Sequence, residues 1–188
     1  MAQAAVASTD PLKQLVAECR DQPVVFDDVR PELCEQLAQI ILGRMQSDRG
    51  RRTGSLNVGG WKSGEDFFSW SDAAVQELRQ VIVGIVGARS PVAWAIVNRA
   101  GSHHPRHQHR IASLSGVYYV TAGSPDSITP TVFECPCDGR PARGSDRYKL
   151  EVEPHPGRLV VSRGETWHAV PKYMGELPRI TVAFDVRR

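Results

Sequence analysis

The chain has no long apolar run, little surplus charge and few cysteines, and each shortage removes a class of function. No stretch approaches the ~20 apolar residues that cross a bilayer, so no membrane partner is expected. Residues Met1 to Asp10 lack a basic start followed by an apolar core and do not read as a secretory signal. Net charge is only +2, from 23 basic and 21 acidic residues. That balance is too even for a general nucleic-acid surface. Four cysteines (Cys19, Cys34, Cys135 and Cys137) at irregular spacing fit reduced thiols in a cytoplasmic protein rather than a disulfide framework. Cys135-Pro-Cys137 has no second pair to complete a metal site, and its role stays open. No internal repeat or low-complexity linker divides the chain.

What is there suits one domain. The 188 residues are 41% hydrophobic, enough for an ordinary core. Residues 1–10 are expected to be a flexible N-terminus and 11–188 a single domain, with a helical layer mainly over 11–90 and a β-barrel over 91–188. Residues 31–46 predict a helix, because Leu33, Leu37, Ile40, Ile41 and Met45 recur at three- and four-residue spacing. Pro31 suits its first turn. Residues 72–87 repeat the pattern through Val75, Leu78, Val81, Ile82, Ile85 and Val86. Ser71 or Asp72 can cap the start and Gly87 the end. The glycine-rich Leu56–Trp61 stretch between them reads as a loop or short strand. From Pro91 onward, β-branched and aromatic runs alternate with Gly, Pro and Asp clusters. Strands are expected at 92–98, 107–111, 114–121, 131–135, 147–152, 158–162, 167–171 and 179–186. Eight short strands without an intervening helix indicate an antiparallel barrel or jelly roll. The predicted class is therefore mostly β with an α layer, the N-terminal helices flanking the barrel.

The histidines are unevenly placed. His103, His104, His107 and His109 cluster, His168 stands alone in Glu165-Thr-Trp-His-Ala-Val170, and His155 lies apart. Alternate residues of a strand share a face, so His107 and His109 can aim at one point, and His168 is the best third ligand from a distant strand. Three facial ligands that leave three open positions suit a mononuclear iron oxygenase. A solvated His-rich loop, with His168 as a hydrogen-bonded core residue, accounts for the same spacing equally well. A closed structural zinc site is disfavoured, because no cysteine is placed to join the histidines. Near the C-terminus, Arg179 and Thr181 are also alternate residues. A guanidinium fork and a hydroxyl on one strand suit a carboxylate, although an internal ion pair would use the arginine as well.

Three segments carry a resemblance. His107-Gln-His-Arg-Ile-Ala-Ser-Leu-Ser-Gly-Val-Tyr-Tyr-Val120, Gly157-Arg-Leu-Val-Val-Ser-Arg-Gly-Glu-Thr-Trp-His-Ala-Val-Pro171 and Pro178-Arg-Ile-Thr-Val-Ala-Phe-Asp185 resemble the 2-oxoglutarate-Fe(II) oxygenases related to prolyl 4-hydroxylases. Their patterns are H-x-H-P-x-x-x-L-S-G-V-Y-Y-V, G-x-L followed later by H-x-V-x-P, and R-I-S ending in F-N. Trp94 with Asn98, and Gly59-Gly-Trp-Lys-Ser63 against an upstream G-G-W-Q-S, fit as well, so the likeness covers roughly residues 55–186.

The resemblance implies a double-stranded β-helix of the jelly-roll or cupin-like kind. It implies Fe(II), 2-oxoglutarate as cosubstrate and O2, with His107 and His168 as iron ligands and Arg179 with Thr181 on the distal carboxylate. Tyr118 or Asn98 would add a hydrogen bond to the cosubstrate. The implied reaction oxidises an aliphatic C–H of a small molecule or amino-acid-type substrate and releases succinate and CO2. The chain departs from the pattern at His109, where the wider superfamily has a carboxylate: either three histidines hold iron or His109 sits behind two ligands. Arg110 replaces a proline and Ser162-Arg163 a Phe-Pro, which hints at an anionic substrate. The segment 134–146 is longer than the pattern requires and would either cover the substrate mouth or form a plain loop. Two rivals share the barrel: a cupin-like three-histidine dioxygenase without 2-oxoglutarate, and a non-enzymatic binding or sensor module. Oligomeric state is open, a homodimer being one option.

Overall fold

The computed structural model describes residues 10–48, 56–88, 90–136 and 147–187. The flexible start expected over residues 1–10 lies outside them but for Asp10, as do Cys137 and most of the 134–146 segment.

Both predicted helices form. Pro31–Leu33 makes a 3-10 turn that runs directly into α2 (Cys34–Ser47), which buries Cys34, Leu37 and Ile41. α3 (Ala73–Val86) buries Val75, Leu78, Ile82 and Val86, and Gly87 closes it with φ of +64°. Asp72 occupies the N-cap position without a capping side-chain hydrogen bond. A helix that the periodicity did not announce, α1 (Pro11–Glu18), starts at Asp10, whose side chain accepts from the Leu12 N–H. It buries Leu15, with Leu12 and Val16 packed against the same core, over only eight residues, too short a span for the period to stand out.

The strands are β1 (Val24–Phe26), β2 (Trp61–Lys62), β3 (Val92–Asn98), β4 (His104–His107), β5 (Ala112–Thr121), β6 (Thr131–Pro136), β7 (Arg147–Val152), β8 (Leu159–Arg163), β9 (Trp167–Val170) and β10 (Arg179–Arg187). Among the described residues they form two sheets, a larger one ordered β1-β8-β5-β10-β3-β2 and a smaller one ordered β4-β9-β6-β7. Every pairing of these strands is antiparallel. Two antiparallel sheets facing each other give the double-stranded β-helix.

The larger sheet is covered on both sides. One face meets the helices in a core that includes Val97, Tyr118, Leu159, Val182 and Phe184 against Leu37, Ile41, Leu78 and Ile82. The other face meets the smaller sheet, where Tyr119, Phe133, Cys135, Val152 and Val160 cluster. Burial on both sides is why β3 reads as a near-continuous apolar run rather than an alternating one. It also makes side-chain parity decisive: a shift of one residue moves a side chain from the helix core to the barrel interior. No helix among the described residues is long and apolar enough to cross a membrane.

Candidate active site

Between the sheets lies a cavity of about 260 Å3. Its wall is mostly apolar, and Trp94, Ile96, Val117, Phe133, Val160 and Val170 contribute to it. His104, His107, His109, His168, Arg179 and Thr181 also line it.

His107 and His168 face each other directly as cross-strand partners of β4 and β9, with ring centroids 4.3 Å apart. The route by which His109 joins them differs from the sequence expectation. A strand over 107–111 does not form; β4 ends at His107 and the chain turns through the next residues. A register shift between His104 and His107 sets four residues of β4 against three of β9. Such a bulge re-aims side chains, so His104 and His107, three apart, both reach the cavity. His109 is placed by backbone contacts: its N–H donates to Gly164 O at 2.6 Å and its carbonyl accepts from the Ala112 N–H at 2.9 Å. A Cβ at position 164 would overlap the carbonyls of His109 and Ala112, so a glycine is needed for this approach.

The three rings share one tautomer. His107 Nδ1 lies 2.7 Å from Pro105 O, and His168 Nδ1 lies 3.0 Å from Thr166 O. A carbonyl only accepts, so both nitrogens carry the proton and donate it. His109 Nδ1 lies 3.0 Å from the Asp185 carboxylate, which fixes its proton in the same way. With Nδ1 so engaged, Nε2 is the atom each ring can offer to a metal. Ligand atoms from all three lie within 4.8 Å of one another. Burial, followed by the neighbouring His107, depresses the pKa of His168 to about 3. Burial also lowers that of His107. Neutral imidazoles with Nδ1 tied back are the state that a metal requires, so this donor set fits a ferrous ion.

Arg179 is 2% exposed. Its Nη2 donates to Thr131 Oγ1 at 3.3 Å, its guanidinium lies 5.2 Å from the centre of the Tyr119 ring, and its Nε has no partner. No carboxylate among the described residues pairs with it. Burial lowers its pKa. A buried guanidinium without a counter-ion calls for an anion from outside the chain. Thr181, on the same face and equally buried, lines the cavity beside it.

Two expected cosubstrate contacts are placed elsewhere. Tyr118 faces the helices, not the cavity; its hydroxyl donates to Val29 O at 2.8 Å and Arg30 O at 3.0 Å. Its neighbour Tyr119 points inward, with its hydroxyl 2.7 Å from Thr131 Oγ1. The parity of β5 decides this, since Thr181 pairs with Tyr119 and Val182 with Tyr118. Asn98 is fully buried with neither amide atom partnered, but it is not part of the cavity wall.

Sequence reasoning missed four groups. Asp185 continues the alternation of Arg179 and Thr181 along β10, and that signal was available. His104, Lys62 and Asn57 also line the cavity, brought there by a bulge, a two-residue strand and a loop that leave no periodic trace.

Comparison with known proteins agrees with this geometry. The family described as "Putative 2OG-Fe(II) oxygenase" matches residues 92–185. A prolyl-4-hydroxylase from Pseudomonas putida is 19% identical, covers 94% of this chain and 98% of its own, and superposes with a TM-score of 0.71. A prolyl hydroxylase from Trichoplax adhaerens, solved with a hypoxia inducible factor peptide fragment, is 12% identical over 98% of this chain and 94% of its own, with a TM-score of 0.69. The epimerase SnoN from nogalamycin biosynthesis, solved with Fe3+, alpha ketoglutarate and nogalamycin RO, is 13% identical over 92% and 82%, with a TM-score of 0.68. At these identities the likenesses establish the double-stranded β-helix. No curated protein sequence matches the chain. The family match spans half of the sequence, and the chain belongs to the 2OG-Fe(II) oxygenases, enzymes that use ferrous iron and 2-oxoglutarate.

Proposed function

We propose that the chain hydroxylates an aliphatic C–H of a small molecule or amino-acid-type substrate, with His107, His109 and His168 as the iron ligands. Arg179 and Thr181 then hold the distal carboxylate of 2-oxoglutarate, and Tyr119, rather than Tyr118, lies beside it. The observation that carries this reading is the pairing of one buried cation that has no counter-ion among the described residues with three converging imidazoles in a single cavity. A cupin-like dioxygenase without a dicarboxylate cosubstrate gives Arg179 no reason to be buried alone.

When bound, iron and 2-oxoglutarate supply the oxidising chemistry: O2, the keto acid and the C–H substrate become succinate, CO2 and the alcohol. The protein does the rest. Arg179 orients the cosubstrate through its far end. Pro105 O, Thr166 O and Asp185 hold three imidazoles in the ligating tautomer. Phe133, Val160 and Val170 exclude water from the reacting carbon. His109 is read as a true ligand because its Nδ1 is tied to a carboxylate, an arrangement that raises ligand basicity. The helices share a core with the larger sheet, which supports one oxygenase domain over 11–188. The buried free thiols Cys19, Cys34 and Cys135 are consistent with a reducing, cytoplasmic setting.

Anaerobic titration with Fe(II) and 2-oxoglutarate tests the assignment. The visible charge-transfer band of a chelated keto acid should develop in the wild type and be lost in His168→Ala. A full band in His168→Ala removes that residue from the ligand set.

A further inference from the structure

The cavity carries a second cation. Lys62 lies on β2 at the edge of the larger sheet, in register with Ile96, which itself pairs with Thr181. Its side chain lines the cavity, and Nζ sits 4.3 Å from the centre of the Trp94 ring. Trp94 in turn stacks on His109, with ring centroids 6.0 Å apart and planes 13° apart. The ammonium is therefore next to the metal-binding end. Among the described residues it makes no ion pair, and burial lowers its pKa. Asn57 also lines the cavity; it is 2% exposed, and neither its amide nitrogen nor its amide oxygen has a partner among the described residues. Among the described residues, no Asp or Glu is part of the wall.

Formal charge shows what is missing. With the ferrous ion, dianionic 2-oxoglutarate and Asp185 behind His109 all in place, and with the nearby Glu65 carboxylate paired with Arg187, the positive charge of Arg179 is balanced and that of Lys62 is not. An unpaired half-buried ammonium beside an apolar wall is costly unless an anion meets it.

We infer that the substrate is a small aliphatic molecule bearing one carboxylate, which docks on Lys62 with Asn57 as a hydrogen-bonding neighbour. This rests on the assignment of iron and 2-oxoglutarate to the same cavity. A volume of about 260 Å3, shared with the cosubstrate, admits a short chain and not a bulky ring system. The carbon skeleton lies against Trp94 and Val117, and the carboxylate lies toward the β2 edge.

The test compares straight-chain carboxylates from butanoate to octanoate with the matching neutral amides. Protein loaded anaerobically with Fe(II) and 2-oxoglutarate reports binding as a perturbation of the charge-transfer band. At least one acid is expected to bind roughly tenfold to a hundredfold more tightly than its amide, the range for a charge-assisted contact. Lys62→Gln, which keeps a hydrogen-bonding end on a side chain one atom shorter but removes charge, should erase that preference. Acids and amides binding alike in the wild type, or no member of the panel binding, overturns the inference. So does a Lys62→Gln variant that loses 2-oxoglutarate affinity, because Lys62 would then serve the cosubstrate. Failure of the underlying assignment looks different: the band does not form in the wild type before any acid is added.

Discussion

Removing Arg179 should separate cosubstrate binding from stability in an unusual direction. In Arg179→Met a flexible apolar chain replaces a guanidinium that is 2% exposed and has one hydrogen bond at 3.3 Å and an unpartnered Nε. In the free protein that charge has been taken out of water with little return. Replacing buried charge by apolar volume is often neutral or stabilising by about 1–4 kcal/mol. At about 2–4 °C per kcal/mol for a chain of this size, the variant without 2-oxoglutarate should melt level with the wild type or several degrees above it. With 2-oxoglutarate the order reverses. Two charge-assisted hydrogen bonds to a carboxylate, at about 1.5–3 kcal/mol each, correspond to two to four orders of magnitude in affinity. Calorimetric melting with and without 2-oxoglutarate, with Mn(II) as a redox-inert metal, reads both effects. A variant that melts several degrees lower without cosubstrate, or that is still stabilised by 2-oxoglutarate as much as the wild type, refutes the view that Arg179 is held in reserve for an anion.

Tyr118→Phe should cost about 1–2 kcal/mol in chemical denaturation, because it strands the carbonyls of Val29 and Arg30, while leaving 2-oxoglutarate affinity unchanged. Tyr119→Phe should instead weaken 2-oxoglutarate binding, measured by the same charge-transfer titration. Asp185→Leu should lower Fe(II) affinity by about 10–100-fold, the usual cost of deleting a partner behind a ligating histidine. Asp185→Asn, which still accepts from His109 Nδ1, should fall between the variant and the wild type in a competitive metal-binding assay. The metal-free protein should lose stability on acidification. The pKa values of His104 and His168 are both depressed by burial to about 3, with Arg179 and His107 respectively adding to the effect. The unfolded chain therefore binds more protons below its ordinary value of about 6.5. The stabilising contribution is complete above that value and is lost as pH falls toward 3, at up to about 1.4 kcal/mol per pH unit for each histidine. Urea denaturation at pH 7 and pH 5 checks this; equal midpoints contradict it.

The parts of the fold and site legible in the sequence were those with a period. Leu37 and Ile41 on one helix and Val75, Leu78 and Ile82 on another announced the α layer. Arg179 and Thr181 announced an inward pair, and the same alternation extends to Asp185. His107 and His168 were found by residue type and wide separation, which suits antiparallel pairing. The rest depended on local irregularity. His104 reaches the cavity only because β4 bulges, and His109 only because Gly164 permits two carbonyls to crowd its Cα. Tyr118 and Tyr119 are both fully buried aromatic residues on a strand covered on both faces, so polarity cannot distinguish them. Only the register with β10 turns Tyr119 toward the smaller sheet, where it meets Thr131 and Arg179 of the cavity wall.

On the proposed assignment, the charge layout of β10 explains how three histidines would serve this chemistry. A neutral imidazole at position 109, where the resemblance implies a carboxylate, would leave the ligand set one negative charge short. Asp185, 3.0 Å from His109 Nδ1, would restore it from behind. A carboxylate so placed shares negative charge with the metal through the ring, as second-shell partners of ligating histidines do. Arg179, Thr181, Ala183 and Asp185 follow one another along a single face of one strand. At roughly 3.3 Å per residue, the cation for the cosubstrate and the anion behind the metal are about 20 Å apart along the backbone. One rigid element buried on both faces thus sets both ends of the cavity, and the reacting carbon need only be positioned between them.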